Sequence, residues 1–323
     1  MASSHIRIIG GGPAGCAAAL AALSEGSAVT IYEKSRFPRH KVCGEFLSPE
    51  LSHVLESLGL WSGFLAAGPA RLTRAVLHFG THAKRFRLPE PAYSLSRYRF
   101  DDLLLREAAL RGAEVRIEPA KPGEAPTVVA HGRQASAPAG ERLFGFKAHY
   151  RGPVDDAMEL FLFKGCYVGV SCVEQRVTNV CGLAPERLLR ECGFAPEALF
   201  TGALRDRVAP LERAMEWLIT GPLVFHDELR SRSHVYLAGD SLGFVDPFTG
   251  SGMLAALLTG RLAGEAAARG SSVEQHQAGC RRLLRRQYSA ASLLRQLLGA
   301  GLAETLAAFV PGRLLYRLTR PAA

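Results

Sequence analysis

The stretch from Ile6 to Glu33 constrains the fold more than any other part of the chain. Ile6–Ile9 is a short apolar run rich in β-branched residues, which predicts a strand. Gly10–Gly12 breaks it as a turn. Pro13–Glu25 is alanine-rich, opens on a proline suited to a first helical turn and stops at Gly26. Ala28–Tyr32 predicts a second strand. Strand, glycine turn, helix and strand in this order make a βαβ crossover, and such units build parallel sheets covered by helices.

The turn reads Gly10-x-Gly12-x-x-Gly15. Gly10 permits the tight turn, Gly12 lets a pyrophosphate approach the backbone, and Gly15 lets the helix pack on the strand. The helix start offers free N–H groups and a partial positive charge to phosphate. Glu33 ends the second strand, 18 residues after Gly15, where a carboxylate can accept hydrogen bonds from a ribose diol. The unit is predicted to bind a dinucleotide.

Further on, the pattern predicts a loop over 36–49, a helix near Glu50–Leu58, two strands about Gly80, a helix over Phe100–Arg111, and strands at Val115–Ile117 and Thr127–Ala130. Phe144–Tyr150, Met158–Phe163, Tyr167–Cys172 and Thr178–Gly182 are short strand-like runs whose spacing suggests an antiparallel sheet. Helices are expected around Pro185–Glu191 and Pro196–Leu204, then a strand at Val235–Ala238 and a helix over Met253–Ala268. The fold class is α/β: a Rossmann-like cofactor domain over 1–69, 96–140 and 233–280, and a smaller α+β substrate domain over 70–95 and 141–232. Residues 281–323 form a basic helical segment.

A second fingerprint lies at Tyr236–Met253. A buried strand delivers Gly239-Asp240 at its carboxyl end, and Gly250 and Gly252 open a helix whose start would face a second electron-rich group. A simple NAD site does not need this; an extended FAD does. These features, with Lys41-Val-Cys-Gly-Glu45 and Ser96-Arg97-x-x-Phe100-Asp101, resemble the flavoprotein superfamily of geranylgeranyl reductases, single-component aromatic hydroxylases and flavin-dependent halogenases. The resemblance covers most of residues 5–270 and implies noncovalent FAD. It places Gly10, Gly12, Pro13, Ala14, Gly15, Glu33 and Lys34 at the first nucleotide end. Lys41, Cys43 and Gly44 are expected over or beside the cofactor, and Arg97 against it. Gly239 and Asp240 would hold the ribityl or pyrophosphate region. Pro247, Gly250, Ser251, Gly252 and Met253 would line the flavin, where helix N–H groups stabilise its anionic reduced form. Cys43 is read as a packing residue rather than a nucleophile.

Three departures bear on the reaction. His131-Gly132 stands where the hydroxylases commonly carry Asp-Gly, an element tied to pyridine-nucleotide contact. Residues 118–127 replace a longer β-meander. Tyr167-Val-Gly-Val-Ser-Cys172 stands for the Tyr-x-Trp-x-Phe-Pro of geranylgeranyl reductases, keeping the tyrosine but not the larger side chains. Trp217 lacks the second tryptophan nearby that a tryptophan halogenase would suggest. The leading expectation is therefore an FAD monooxygenase acting on a hydrophobic or aromatic molecule, with NADH or NADPH as candidate electron donor. The alternatives are an alkene-reducing flavoenzyme and a flavin-binding module without turnover.

No catalytic acid or base stands out; Lys147, His149 and Tyr167 are the candidates. Alternation in Phe144–Tyr150 puts Phe146, Ala148 and Tyr150 on one face and Lys147, His149 and Arg151 on the other. That second face reads either as a solvated basic edge or as Lys147 and His149 aimed into a cleft. Tyr167, Phe161 and Phe163 are candidate pocket walls.

The net charge is +9, but eight arginines against Glu304 alone put +7 of it in residues 281–323. A body so nearly neutral is not a nucleic-acid surface. The arginine–leucine tail reads as a helix packed on the cofactor domain or as a peripheral contact with anionic lipid. No apolar stretch suits a membrane span or a signal peptide, and no metal site is expected. The odd count of seven cysteines without a CxxC pair predicts reduced thiols and a cytoplasmic location; Cys166 and Cys172 are the nearest pair. The oligomeric state is left open.

Overall fold

The computed structural model describes residues 5–80, 82–132, 142–163, 165–223, 234–243 and 250–285. The chain opens with β1 (His5–Ile9), α1 (Pro13–Ser24) and β2 (Ala28–Tyr32), as the glycine turn predicts. There follow β3 (Phe46–Leu47), α2 (Leu51–Ser57), the unanticipated α3 (Trp61–Ala66), β4 (Ala70–Phe79), β5 (His82–Ser94) and α4 (Arg97–Leu110). β6 (Glu114–Arg116) and β7 (Thr127–Val129) are short. β8 (Leu143–Arg151), β9 (Ala157–Phe163), β10 (Cys166–Cys172) and β11 (Val177–Pro185) follow, then α5 (Glu186–Glu191), α6 (Gly202–Val208), β12 (Glu212–Arg213) and β13 (Leu218–Leu223). β14 (Val235–Leu237), α7 (Gly252–Ala268) and a helix over 273–285 complete the described chain. The expected C-terminal basic segment is seen only to residue 285; the rest of it lies outside the described residues.

β14, β7, β1, β2 and β6 form a five-stranded parallel sheet in that order. α1 is buried from Pro13 to Ala22, which explains its uniformly apolar sequence: it lies between this sheet and α7. Small residues make that layer thin. A Cβ at Gly260 or Gly264 would come within 2.1 Å of the Ala14 or Ala18 carbonyl oxygen, so the two helices touch backbone to backbone. A Cβ at Gly15 would sit 1.8 Å from the Gly10 oxygen, which enforces the helix-on-strand contact read from the motif.

The second sheet has nine strands, with β12-β8-β11-β10-β9-β4-β5-β3 in order and β13 also on β8. It is mixed rather than wholly antiparallel, because β4 pairs in parallel with β9. Between those strands the chain visits the first sheet through α4, β6 and β7, a connection long enough for a parallel crossover. Phe46–Leu47 pairs with β5, so this piece of the 1–69 stretch sits in the second sheet. The loop before it therefore runs from one sheet to the other.

Phe146, Ala148 and Tyr150 enter a core with Val168, Val170, Leu189 and Leu204. Trp217 packs edge-on against Phe146, Tyr150 and Phe200 there, so it is a core anchor. Phe161 and Phe163 belong to the same core and do not line the cavity described below. Cys166 and Cys172 stand at opposite ends of β10, too far apart for a disulfide, and all seven cysteines are free.

Candidate functional site

One cavity of about 610 Å³ runs between the two sheets. Its floor is the carboxyl end of the parallel sheet. Gly10, Gly12, Pro13 and Ala14 line it after β1, Glu33 and Lys34 after β2, His131 and Gly132 after β7, and Gly239 and Asp240 after β14. Gly250, Gly252 and Met253 line it at the start of α7. The two glycine-lined helix starts thus open into the same space.

Among the described residues, neither start is capped by a side chain. Gly12 and Ser251 occupy the N-cap positions of α1 and α7 without a side-chain hydrogen bond, and neither first turn holds an acidic residue. Helix starts usually take such a cap from a serine, threonine or aspartate side chain. A Cβ built at Gly12 or Gly252 would meet nothing within 4 Å. Both starts therefore face open space, where helix N–H groups suit an electron-rich ligand. Beyond Gly12, the Glu33 carboxylate accepts from Gly11 N at 2.8 Å and Ser35 N at 2.9 Å, so it is held in place at the end of β2. These features fit an extended dinucleotide: uncapped N–H groups for its phosphate and flavin ends, and Glu33 for a sugar diol.

Several other predicted residues also reach the cavity: Lys41, Cys43, Gly44, Arg97 and Tyr167. Gly15 and Ser251 do not line it; Gly15 packs against Gly10, and Ser251 is fully buried behind the α7 start. Pro247 lies outside the described residues. The Arg97 guanidinium is already engaged by buried Asp101 through bonds of 2.5 and 2.7 Å, an i,i+4 pair on α4. It borders the cavity as a fixed charge rather than a free fork. Lys41 has no hydrogen-bond or ion-pair partner among the described residues. Burial, then Arg39 and Arg97, push its pKa down to about 8, with Asp101 and Glu33 opposing. Burial pushes the Cys43 thiol up, against Arg97, which suits a packing residue and not a thiolate nucleophile.

Lys147 and His149 do not form a solvated basic face. Lys147 is fully buried and His149 is 7% exposed. Both converge on Glu45, whose carboxylate accepts from Lys147 Nζ, from His149 Nε2 at 2.8 Å and from Arg97 N at 2.6 Å. Burial acts to raise the Glu45 pKa, but Lys147 and His149 outweigh it and hold the carboxyl below its ordinary range. Glu45 is fully buried yet borders the cavity, with a left-handed φ of 57°. Its carbonyl accepts from Ser94 Oγ at 2.8 Å, and Asn179 Nδ2 donates to the Cys43 carbonyl at 3.1 Å. The loop over 41–45 is thereby tied to the second sheet. Sequence reading missed Glu45 as a site residue, although its place after Gly44 in the quoted motif was a usable signal.

The roof comes from the second sheet. Gly145, Tyr167, Gly182, Leu183 and Thr220–Leu223 line it beside Val42 and Phe46. Tyr167, Leu183, Gly145 and Thr220 are successive cross-strand partners and so share one face. His131 and Gly132, the departure from Asp-Gly, remain at the cavity edge, where the Ser241 hydroxyl donates to the Gly132 carbonyl at 3.0 Å. Among the described residues, no group of three or more His, Cys, Asp or Glu side chains is placed to hold a metal ion, and no helix is long and apolar enough to cross a membrane.

The two helix starts and the mixed-sheet roof thus frame a site that fits an extended dinucleotide, and comparison with known proteins agrees. Residues 3–121 match the FAD binding domain family. The relatives that match this chain in sequence include flavin-dependent halogenases and geranylgeranyl reductases. Over 117 residues it is 33% identical to tryptophan 2-halogenase of Chondromyces crocatus, covering 35% of this chain and 22% of that protein. Over 181 residues it is 29% identical to digeranylgeranylglycerophospholipid reductase 2 of Methanopyrus kandleri, covering 55% of this chain and 40% of that protein. The matches thus span well under half of these relatives' own length. The fold superposes on the flavin-dependent brominase Bmp2 with a TM-score of 0.77 at 19% identity, covering 98% of this chain and 93% of that one.

Proposed function

We propose that this protein is an FAD-dependent oxidoreductase of the monooxygenase type, using reduced flavin and oxygen to modify a hydrophobic or aromatic small molecule. The observation that carries the reading is one shared cavity: two glycine-lined helix starts at its floor and an apolar, tyrosine-bearing roof face the same space. FAD supplies the electrons and the oxygen chemistry. The chain's own residues bind, orient and exclude water. Glu33 and the α1 start take the nucleotide end, Asp240 the middle, and Gly250–Met253 the flavin end. Tyr167, Leu183 and Pro222 offer an apolar surface to the substrate. The likeness to halogenases supports the oxygen-using class, and halogenation is the particular member of that class the fold favours.

A second reading, reduction of an alkene, is supported by the 29% identity to a digeranylgeranylglycerophospholipid reductase. The two are separated with purified holoprotein. Flavin bleaching is followed with NADH, with NADPH and with FAD supplied already reduced. Oxygen uptake that rises with an aromatic substrate, with or without halide, supports the first reading. Anaerobic saturation of a prenyl double bond by the dithionite-reduced protein supports the second. A bound flavin that no donor reduces would contradict both.

A further inference from the structure

The buried charge cluster beside the cavity also reaches solvent. Glu45 borders the cavity, and its Oε2 is bonded to His149 Nε2 at 2.8 Å. The His149 ring meets the His40 ring edge-on, with centroids 5.1 Å apart, within reach of a proton hop through one water. His40 is exposed and lies against Tyr98, itself 40% exposed. Carboxylate and imidazole side chains are the groups that exchange protons most readily near neutral pH. Here they stand in a row from cavity wall to surface.

Either reaction class requires a proton from outside the cavity. When anionic reduced flavin gives two electrons to oxygen, the products are oxidised flavin and hydrogen peroxide. The reduced flavin itself carries one of the two protons in the peroxide, so one more is taken up. When the same flavin saturates an alkene, its hydride forms one C–H bond and a proton from outside forms the other. Hydroxylation, which yields alcohol and water, also takes up one proton. A roofed cavity must bring that proton in.

We propose that Glu45, His149 and His40 form a proton relay from solvent to the flavin site, with Lys147 as the positioning residue that fixes the Glu45 carboxylate. The relay rests on the flavin reading of the cavity. The charged groups around it are Lys147 from β8, Glu174 beside Ser96, and the Arg97–Asp101 pair of α4, whose Arg97 meets Glu45 through its backbone N–H. Burial lowers the His40 pKa, Lys147 and His149 lower it further, and Glu45 and Glu174 oppose them, so the exposed histidine feels the buried pair. With Glu45 held below the ordinary carboxylate range, it takes a proton only in passing.

The test uses holoprotein reduced anaerobically with dithionite and mixed with oxygenated buffer, in water and in deuterium oxide. Reoxidation of native protein is expected to show a solvent isotope effect. His149→Gln should slow it about a hundredfold, the low end of general acid–base contributions. His40→Ala changes an exposed side chain, so it keeps the fold; it should slow reoxidation, and added imidazole should restore it. In FAD-free protein, an NMR titration should show the His40 pKa rising in His149→Gln, because a neighbour that lowers it is gone. Variants that hold flavin yet reoxidise at native rate with a native isotope effect would overturn the relay and leave the flavin reading intact. Native protein that binds no FAD would overturn both.

Discussion

Gly12 and Gly15 belong to one motif but perform opposite tasks, and the difference can be tested by substitution. Space around a Cβ at Gly12 is open, whereas one at Gly15 would overlap the Gly10 carbonyl. Gly12→Val is therefore expected to fold and lose FAD, while Gly15→Val should lose the fold itself, as circular dichroism and flavin absorbance would show together. Lys41 carries a pH signature. Its ammonium is held in the folded protein only up to about pH 8, against 10.5 ordinarily. A phosphate-bearing ligand favours the charged form, so FAD affinity should fall as pH rises through about 8. Lys41→Met should weaken binding about tenfold, the worth of one charge-assisted hydrogen bond, and flatten that profile in a fluorescence titration. The glycines and Glu33 were legible because their tasks are local. The motif marked the position of Glu45 but not its ion pairs, because Lys147 and His149 lie 102 and 104 residues away and only the folded chain brings them to it.

Among elements, α1 and α7 show what periodicity cannot reveal. Both read as apolar helices, but the Gly260 and Gly264 contacts that set their spacing depend on which helix lies opposite. Gly264→Leu should destabilise the protein by about 3 kcal/mol or more, the upper range for overpacking, and lower the thermal midpoint. β8 shows a different limit. Alternation correctly put Phe146, Ala148 and Tyr150 in the core, yet the polar face was also buried, because the 41–45 loop covers it with Glu45. On that same face, a Cβ at Gly145 would come within 3.0 Å of Val42 Cγ1. Gly145→Leu is expected to fill the roof end of the cavity. It should raise the apparent substrate KM or abolish turnover while the flavin spectrum persists; a lost flavin would mean the roof and the cofactor share that space.

At the level of the whole molecule, two sheets are joined by a loop that starts beside Glu33 and ends as β3 in the second sheet. Lys41, Cys43, Gly44 and Glu45 all reach the cavity from that loop. The α/β class and the gathering of both glycine-rich helix starts at one cavity were legible because a βαβ unit and a second glycine-rich helix start are sequence-local patterns. The mixed character of the second sheet was not, since the β4–β9 pair joins strands separated by a visit to the first sheet. Trp217 bears on no halogenase signature in either direction, since it is a core side chain. The most direct measurement is an FAD titration of the native chain beside Gly12→Val and Gly252→Val, read by flavin fluorescence and equilibrium dialysis. One FAD per native chain, lost in each variant despite a retained fold, is the expected result. Retention of full affinity when either helix start is blocked would contradict the claim that a single cofactor spans both.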